Sequence, residues 1–398
     1  MAAGTTESMA SETCVAFLLA DCYDDEDLIA ETNTAIKRQE ARKKEEIKQT
    51  QNLKRAGAER GSFNTVLEIL TIGDFKSYFR LTPTQTEELV RMMKSYKWTA
   101  IKQEGWTVCH AVLSSLWTLS TQESYSGVAS RFHVTESVIC NQLYEFCYLI
   151  ASNLENKIHW PQGKEAEVSM KGFYSNVGIL GTLCVVGTSN IAIDRPSDVP
   201  DAEIYKSGQS FSLKLMAFCN HRGRFTYATA EHPGSWHNSR VLSATEVGKL
   251  MQEDPVALLE GKHIIGDCTY PLSEHLLTPF PDYSTLGQKR ECYNRRVQSA
   301  IKVVQDSIYT LKSSFQRLRC LHKHSYYQTN IAVEACCILY NMFLETCSMP
   351  ANYREEAAAP KPFHELTYGH SGSLGGISKR QDIAASLKRI NKKRKSTY

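Results

Sequence analysis

The stretch LCVVGTSNIAI, residues 183–193, is rich in β-branched and apolar residues, which is typical of a strand. Similar runs follow at residues 212–219, 225–229 and 263–265, and the sequence NHRG between the first two of these predicts a hairpin turn. Apolar residues at helical spacing then predict helices over residues 239–252, 299–318 and 329–345. This order of elements predicts an α/β core built on a mixed sheet.

Ahead of this core, residues 62–156 carry apolar residues at helical spacing and predict a helical domain. Within it, residues 124–146 have the form of a helix-turn-helix, with a turn at His133 and a second helix capped by Thr135. A second helix lying in a DNA major groove would expose Glu136, Asn141 and Gln142. A helical hairpin that only packs against the rest of the protein explains the same pattern.

The two ends of the chain differ in composition from its middle. The first thirty or so residues are acidic, residues 34–60 combine helix formers with mixed charges, and Pro, Gly and Ser precede a basic C-terminus. The predicted order is therefore a disordered acidic start and charged helix (1–61), a helical domain (62–160), the α/β domain (170–346) and a flexible basic tail (347–398). The terminal KRINKKRK, residues 388–395, resembles a nuclear localisation signal.

The bulk composition excludes several classes of protein. No run approaches the roughly 20 apolar residues that span a bilayer, and the start lacks a basic region followed by an apolar run, so we expect neither membrane insertion nor secretion. The 13 scattered cysteines suit reduced thiols in an intracellular protein. A structural zinc site is not expected, because Cys320, His322 and His324 lack a matching second ligand pair.

Five blocks between residues 178 and 344 resemble the DDE nuclease domain of Harbinger transposases and their domesticated, nuclease-like relatives. They are VVGTSNIAIDRP, HRGRFTYATAEHPGSWHNSRVL, IIGDCTYPL, VVQDSIYTLKSSFQRLRCL and ACCILYNMFLE, in the order of the family. The resemblance implies a ribonuclease-H-like core preceded by a helical domain with the helix-turn-helix-like segment. It also implies DNA hydrolysis by two divalent ions, Mg²⁺ or Mn²⁺, held by three carboxylates.

The family motif assigns a position in this chain to each of those carboxylates. Gly187 stands where the first Asp belongs, Asp267 in IIGDCTY occupies the second position, and Gln305 stands at the third. Two further family positions are also changed: the first-strand His is Asn190, and the His-Asp pair after the Pro-Gly-Ser turn is His237-Asn238. A site with one carboxylate should bind Mg²⁺ weakly.

Two nearby acids are poor substitutes for the missing ligands. Asp194 lies an odd number of residues beyond Gly187 on an extended strand, so it faces the other way and several strand rises further on. Asp306 is rotated by about 100° from Gln305 on a helix. We therefore expect neither to restore the metal site.

The resemblance with these changes predicts a domesticated, catalytically silent, nuclear protein that binds DNA or another protein. The family also implies a Myb-like DNA-binding companion. Four cations on or beside the helix of Gln305 would lie along DNA phosphates or on a solvated face: Lys302, Lys312, Arg317 and Arg319.

Two alternatives remain open from the sequence. The first is an active metal-dependent endonuclease in which Asp267 is joined by Asn190, Asn238 or Gln305. The second is a cytoplasmic scaffold that uses the charged N-terminal segment.

Overall fold

The computed structural model describes residues 71–96, 98, 106–196, 199, 201–281, 287–321, 326–344 and 372–387. The acidic start, the charged helix predicted at 34–60, His322, His324 and the basic residues 388–395 lie outside these ranges. Within the described ranges, no helix has both the length and the apolar character needed to cross a membrane.

The chain divides into two compact units, residues 1–75 and 76–398, which we describe separately. Helix Ile72–Phe79 (α1) begins in the first unit, and its residues from Lys76 onward belong to the second. At its start, the Thr71 hydroxyl accepts from the backbone N–H of Asp74 at 3.1 Å and donates to the Asp74 carboxylate at 2.7 Å. Everything that follows belongs to the second unit.

The second unit opens with four helices: Pro83–Ser95 (α2), Val108–Ser120 (α3), Tyr125–Phe132 (α4) and Glu136–Leu154 (α5). Capping boxes start α2 and α3, because the side chains of Thr82 and Thr107 accept from the backbone three residues on. The predicted helical region ahead of the sheet is therefore confirmed.

The predicted helix-turn-helix is also confirmed as a local structure. His133 ends α4 in the left-handed conformation, with φ of 55°, and α5 starts three residues later. Thr135 stands at the start of α5 but makes no side-chain cap. The expectation that Gln142 is exposed is wrong, because the face of α5 that carries it packs on α3. Its side chain accepts from Trp106 and donates to Ser114.

After Gly163–Val177 (α6), seven strands form one sheet. They are Thr182–Ile193 (β1), Lys206–Ser207 (β2), Ser210–Cys219 (β3), Phe225–Pro233 (β4), His263–Ile265 (β5), Leu276–Leu277 (β6) and Cys320–Leu321 (β7).

The main strand order is β4-β3-β1-β5-β6; β2 also pairs with β3, and β7 with the end of β1. The first three strands are antiparallel neighbours, whereas β1, β5 and β6 are parallel. The mixed sheet and the ribonuclease-H-like fold class are confirmed.

Helices cover both faces of the sheet. On one face, Val186 and Phe218 pack against a layer of three short helices, Asn238–Ala244 (α7), Glu246–Glu253 (α8) and Pro255–Leu259 (α9). The single helix predicted over 239–252 is split because Thr245 ends α7 and caps α8.

The other face is covered by Gln288–Ser314 (α10), which contacts β1 and β3. Helix Tyr326–Met342 (α11) packs on α5 and β4. The helix predicted at 299–318 corresponds to α10, which starts at Gln288 and ends at Ser314, so both of its ends come earlier than predicted.

The structure differs from the expected flexible tail over residues 372–387. Leu374–Ser386 forms a helix (α12), begun by Ser373. Arg380 is 9% exposed, donates to the carbonyl of Pro279 at 2.9 Å and stacks on Phe280. The helix therefore docks on the segment that flanks β6.

Candidate functional site

Two of the positions assigned by motif follow the same pair of residues in the sheet. β1 and β5 run parallel, and their last pair is Val185 with Ile265. Gly187 lies two residues beyond this pair within β1, and Asp267 lies two residues beyond it in the turn after β5. Both positions therefore come just after the end of the β1–β5 pairing.

The space for a side chain at the first position is already filled. Gly187 is buried and faces α10, and a Cβ atom on it would lie only 2.8 Å from Cγ1 of Val304. Carbon atoms in a packed interior prefer about 3.5–4.0 Å. A carboxylate therefore does not fit at residue 187 unless Val304 moves.

Asp267 is half-buried, and its carboxylate has partners within its own turn. Oδ1 accepts from the backbone N–H of Thr269 at 2.9 Å and from the Thr269 hydroxyl. An Asp that accepts from the backbone two residues on stabilises a turn. The surviving acid thus has a structural role that needs no metal.

A hydrogen-bonded chain leads from Asp267 to a lysine that the sequence analysis missed. Asn238 donates to the Thr269 hydroxyl at 2.7 Å and accepts from Lys214 Nζ at 3.4 Å. Burial lowers the pKa of Lys214, and the negative charge of Asp267 partly offsets this effect. Its sequence signal is a cation within the apolar strand SFSLKLMAFC.

Two further side chains beside Asp267 are held in their neutral forms. Burial, and then the charge of Asp267, raises the pKa of Tyr270 well above its usual value. The same two causes raise the pKa of Cys268 to about 11. At neutral pH neither group is an anion that would bind a cation.

The remaining candidates do not converge on Asp267. Gln305 is exposed, one residue and hence about 100° around α10 from Val304. Asp306 pairs with Lys302 at 2.7 Å.

The candidates on and beyond β1 also have other partners. Asn190 donates to Ser207 at 3.1 Å on the opposite side of β1 from Gly187. The charge of Asp194, beyond β1, acts on Tyr125 and Cys320 instead.

The four predicted DNA-contacting cations divide into two pairs. Lys302 and Arg319 are exposed. Lys312 turns inward and donates to Ser189 Oγ at 2.9 Å and to the Asn190 carbonyl at 2.7 Å. Burial, and then the charge of Arg319, lowers the pKa of Lys312 to about 8.

Arg317 differs most from the sequence expectation of a surface cation. Its side chain is 3% exposed, because its guanidinium donates to the carbonyls of Thr118 and Glu123 and stacks on Tyr125. It therefore joins the end of α10 to the helical region within the protein.

The donor set at Asp267 does not fit the two metal ions that the fold implies. Across the ranges described above, no three His, Cys, Asp or Glu side chains are grouped so that they could hold a metal. One self-bonded carboxylate, the Asn238 amide and a nearby ammonium offer too little negative charge for Mg²⁺.

Comparison with known proteins agrees with this reading of the fold. Residues 186–341 match the DDE superfamily endonuclease family. The chain is 24% identical over 240 residues to Protein ALP1-like from Arabidopsis thaliana, covering 57% of this chain and 58% of that protein. It is 25% identical over 192 residues to the putative nuclease HARBI1 from Xenopus laevis, covering 47% and 54% respectively.

The chain thus spans little more than half the length of these relatives. No solved structure matches it. The family match contains the surviving Asp267 and both positions of the missing acids. Over residues 186–341 the chain is therefore similar to the DDE superfamily endonucleases, the superfamily of the Harbinger-type nucleases that its motifs resemble.

Proposed function

We propose that this transposase-derived protein is catalytically silent and acts in the nucleus as a DNA-binding or protein-interaction module. The main support for the absence of catalysis is that Val304 fills the space that the first carboxylate would need at Gly187. The ammonium of Lys214 supports the proposal further, since a cation beside Asp267 opposes the binding of a second cation.

A metal titration tests the catalytic part of the proposal. We expect Mg²⁺ and Mn²⁺ at millimolar concentration to leave the unfolding temperature of the purified protein unchanged, because a bound ion would raise it by mass action. We expect the same of Asp267→Asn and of its matched control Asp382→Asn, an exposed aspartate on α12.

The competing function is a working metal-dependent endonuclease, and the observation that favours it is that Asp267 and Gly187 both come just after the end of the β1–β5 pairing. That function predicts Mg²⁺-dependent cleavage of duplex DNA by the wild type. It also predicts that cleavage is lost in Asp267→Asn and kept in Asp382→Asn. This pattern of activity would overturn the silent assignment.

A DNA-binding role is supported by exposed cations and by the helix-turn-helix. Lys302 and Arg319 lie at the surface, and Asn141 is exposed on α5. Electrostatic contacts to phosphates make binding weaken as salt rises. We expect salt-dependent binding of a labelled duplex, measured by fluorescence anisotropy, that Lys302→Ala with Arg319→Ala weakens.

The control for that measurement is Lys249→Ala, an exposed lysine on α8. Equal loss in the control would indicate nonspecific attraction and remove the assigned surface. If the wild type binds no duplex, a Myb-like companion would have to supply the DNA contact. Co-purification with such a protein then tests the interaction role.

Nuclear location is the remaining part of the proposal, and the basic residues 388–395 motivate it. A tagged full-length protein should collect in the nucleus, and deletion of residues 389–395 should redistribute it to the cytoplasm. A wild type that stays in the cytoplasm would favour the scaffold alternative.

A further inference from the structure

A cation-lined cleft of about 330 Å³ lies at the β3–β4 turn, on the other side of β1 from β5 and the turn that carries Asp267. Its walls come from the segment before α6, the first turns of α6 and the turn itself. Val168 and Phe225 contribute apolar surface. The cations at the cleft are Lys157, Lys164, Arg222 and Arg224.

These four cations face a single acid in the cleft. Glu165 is the one carboxylate that lines it, and Glu165 lies 2.7 Å from His159. Within the part of the chain that the structure describes, no ion pair joins any of the four cations to an acid. The cleft thus carries an excess of positive charge that other side chains of this region leave uncompensated.

The turn that carries the two arginines is fixed by its own hydrogen bonds. Asn220 Oδ1 accepts from the backbone N–H groups of Arg222 at 2.9 Å and Arg224 at 3.1 Å. Gly223 permits the turn with φ of 77°. The Arg224 guanidinium donates to the carbonyls of Asn341 and Lys157, so its position is set before any ligand arrives.

The start of α6 also favours an anion in the cleft. α6 begins at Gly163 without a side-chain cap on its preceding residue Gln162, and the N-terminus of a helix attracts negative charge. His221 lines the cleft as well, but burial and the charge of Arg222 lower its pKa and its Nδ1 is enclosed, so the cations and the helix start supply the attraction.

We propose that this cleft is a binding site for a phosphate group, carried either by a mononucleotide or by a nucleic-acid strand. Guanidinium groups bind phosphate through paired, charge-assisted hydrogen bonds, and lysines add charge. A cleft of this size lies at the small end of ligand pockets. None of the residues lining the cleft belongs to the Asp267 network, to the exposed cations Lys302 and Arg319 or to the helix-turn-helix, and the site goes beyond the proposed function.

Equilibrium dialysis of the full-length protein with radiolabelled inorganic phosphate tests the site. We expect saturable binding that Lys164→Ser with Arg222→Ser weakens by about tenfold or more, because charged hydrogen bonds are lost. Both residues are exposed, so the variant should fold; its unfolding midpoint checks this. The matched control is Lys289→Ser with Arg295→Ser, an exposed pair on α10 with the same charge change.

Absence of saturable phosphate binding, or equal weakening in the two double variants, would overturn the site. Deoxyadenosine monophosphate and a short single strand distinguish the sources. Mononucleotide binding that falls in the cleft variant supports a free nucleotide, whereas a fall for the strand alone supports a strand phosphate.

The result is independent of the proposed DNA surface. Loss of duplex binding in Lys302→Ala with Arg319→Ala, with phosphate binding kept, would leave the cleft standing.

Discussion

Beyond the carboxyl end of β5, Asp267 lies in a network with Thr269, Asn238 and Lys214, whereas the cleft at the β3–β4 turn is lined by four cations and one carboxylate. Both regions belong to the same sheet. In the first, a single carboxylate is satisfied by hydrogen bonds within its own turn and lies in one network with an ammonium group. The second keeps a surplus charge that an external anion would neutralise.

The difference teaches that a position without its family acid need not be an empty space. Val304 packs against Gly187, and an uncompensated carboxylate in a packed interior is costly. The stability of the protein should therefore respond differently to a new charge at Gly187 and to a new charge at an exposed position.

The largest expected effect is that of Gly187→Asp. The new carboxylate would be buried against Val304 without a counterion, and we expect the free energy of unfolding to fall by about 4 kcal/mol. Chemical denaturation measures it. Adding Val304→Ala should restore part of the loss, so that the two substitutions are strongly non-additive.

Asn190→Asp is the control on the same strand, because residue 190 is exposed. We expect it to change stability by less than about 0.5 kcal/mol, as is usual for surface substitutions. Equal effects of the two aspartates would mean that the space at Gly187 is open, and the proposed contrast between the Asp267 network and the cation cleft would fail.

The next largest expected effect on stability is that of replacing Arg317, which is buried, compared with replacing Arg319, which is exposed two residues further on. Arg317→Met removes the donors to the carbonyls of Thr118 and Glu123, and we expect a loss of about 2–4 kcal/mol. Arg319→Met should be nearly neutral for stability, since Arg319 is exposed. Thermal unfolding of the two variants shows whether Arg317 stabilises the fold. Equal unfolding temperatures for Arg317→Met and Arg319→Met would mean that Arg317 behaves as a surface residue.

The smallest effect is a pH dependence due to Lys312. Its folded pKa of about 8 lies below the ordinary value of 10.5, so the unfolded chain binds more protons between these values. Its contribution therefore raises stability as pH rises from about 8 to 10.5, and it is constant below that window. The gain is at most about 3 kcal/mol before solvent screening.

Urea midpoints across this pH window, compared between wild type and Lys312→Met, isolate the contribution from that of the buried cysteines. Lys302→Met is the control, because Lys302 is exposed on the same helix. A parallel pH profile for wild type and Lys312→Met would show that Lys312 is solvated.

Local patterns were enough to predict the longer strands of the sheet. The β-branched run at residues 183–193 and the hairpin sequence at 220–223 act over a few neighbouring residues, and the structure has both elements there. The positions Gly187 and Asp267 came from the resemblance to the family motif instead, and both lie two residues beyond the last pair of β1 and β5.

The orientation of individual polar side chains was beyond those patterns. Gln142 is buried because α3 happens to pack on its face of α5, and Arg317 is buried by contacts nearly 200 residues away in sequence. Lys214 and Asp267 are far apart in sequence, and only the folded sheet brings Lys214 close enough to sense the charge of Asp267. Such contacts depend on tertiary packing, which neither propensity nor spacing contains.

Helix α12 also protects an edge of the sheet. β6 is the edge strand of the order given above, and an unprotected edge strand offers unpaired backbone groups to other chains. Ser373 donates its backbone N–H to the carbonyl of Leu272, and the Lys379 ammonium donates to the carbonyl of Glu274. Helix α12 therefore lies against the segment that leads into β6. A protein shortened to residue 346 would lose that cover, and self-association through β6 would compete with its native state.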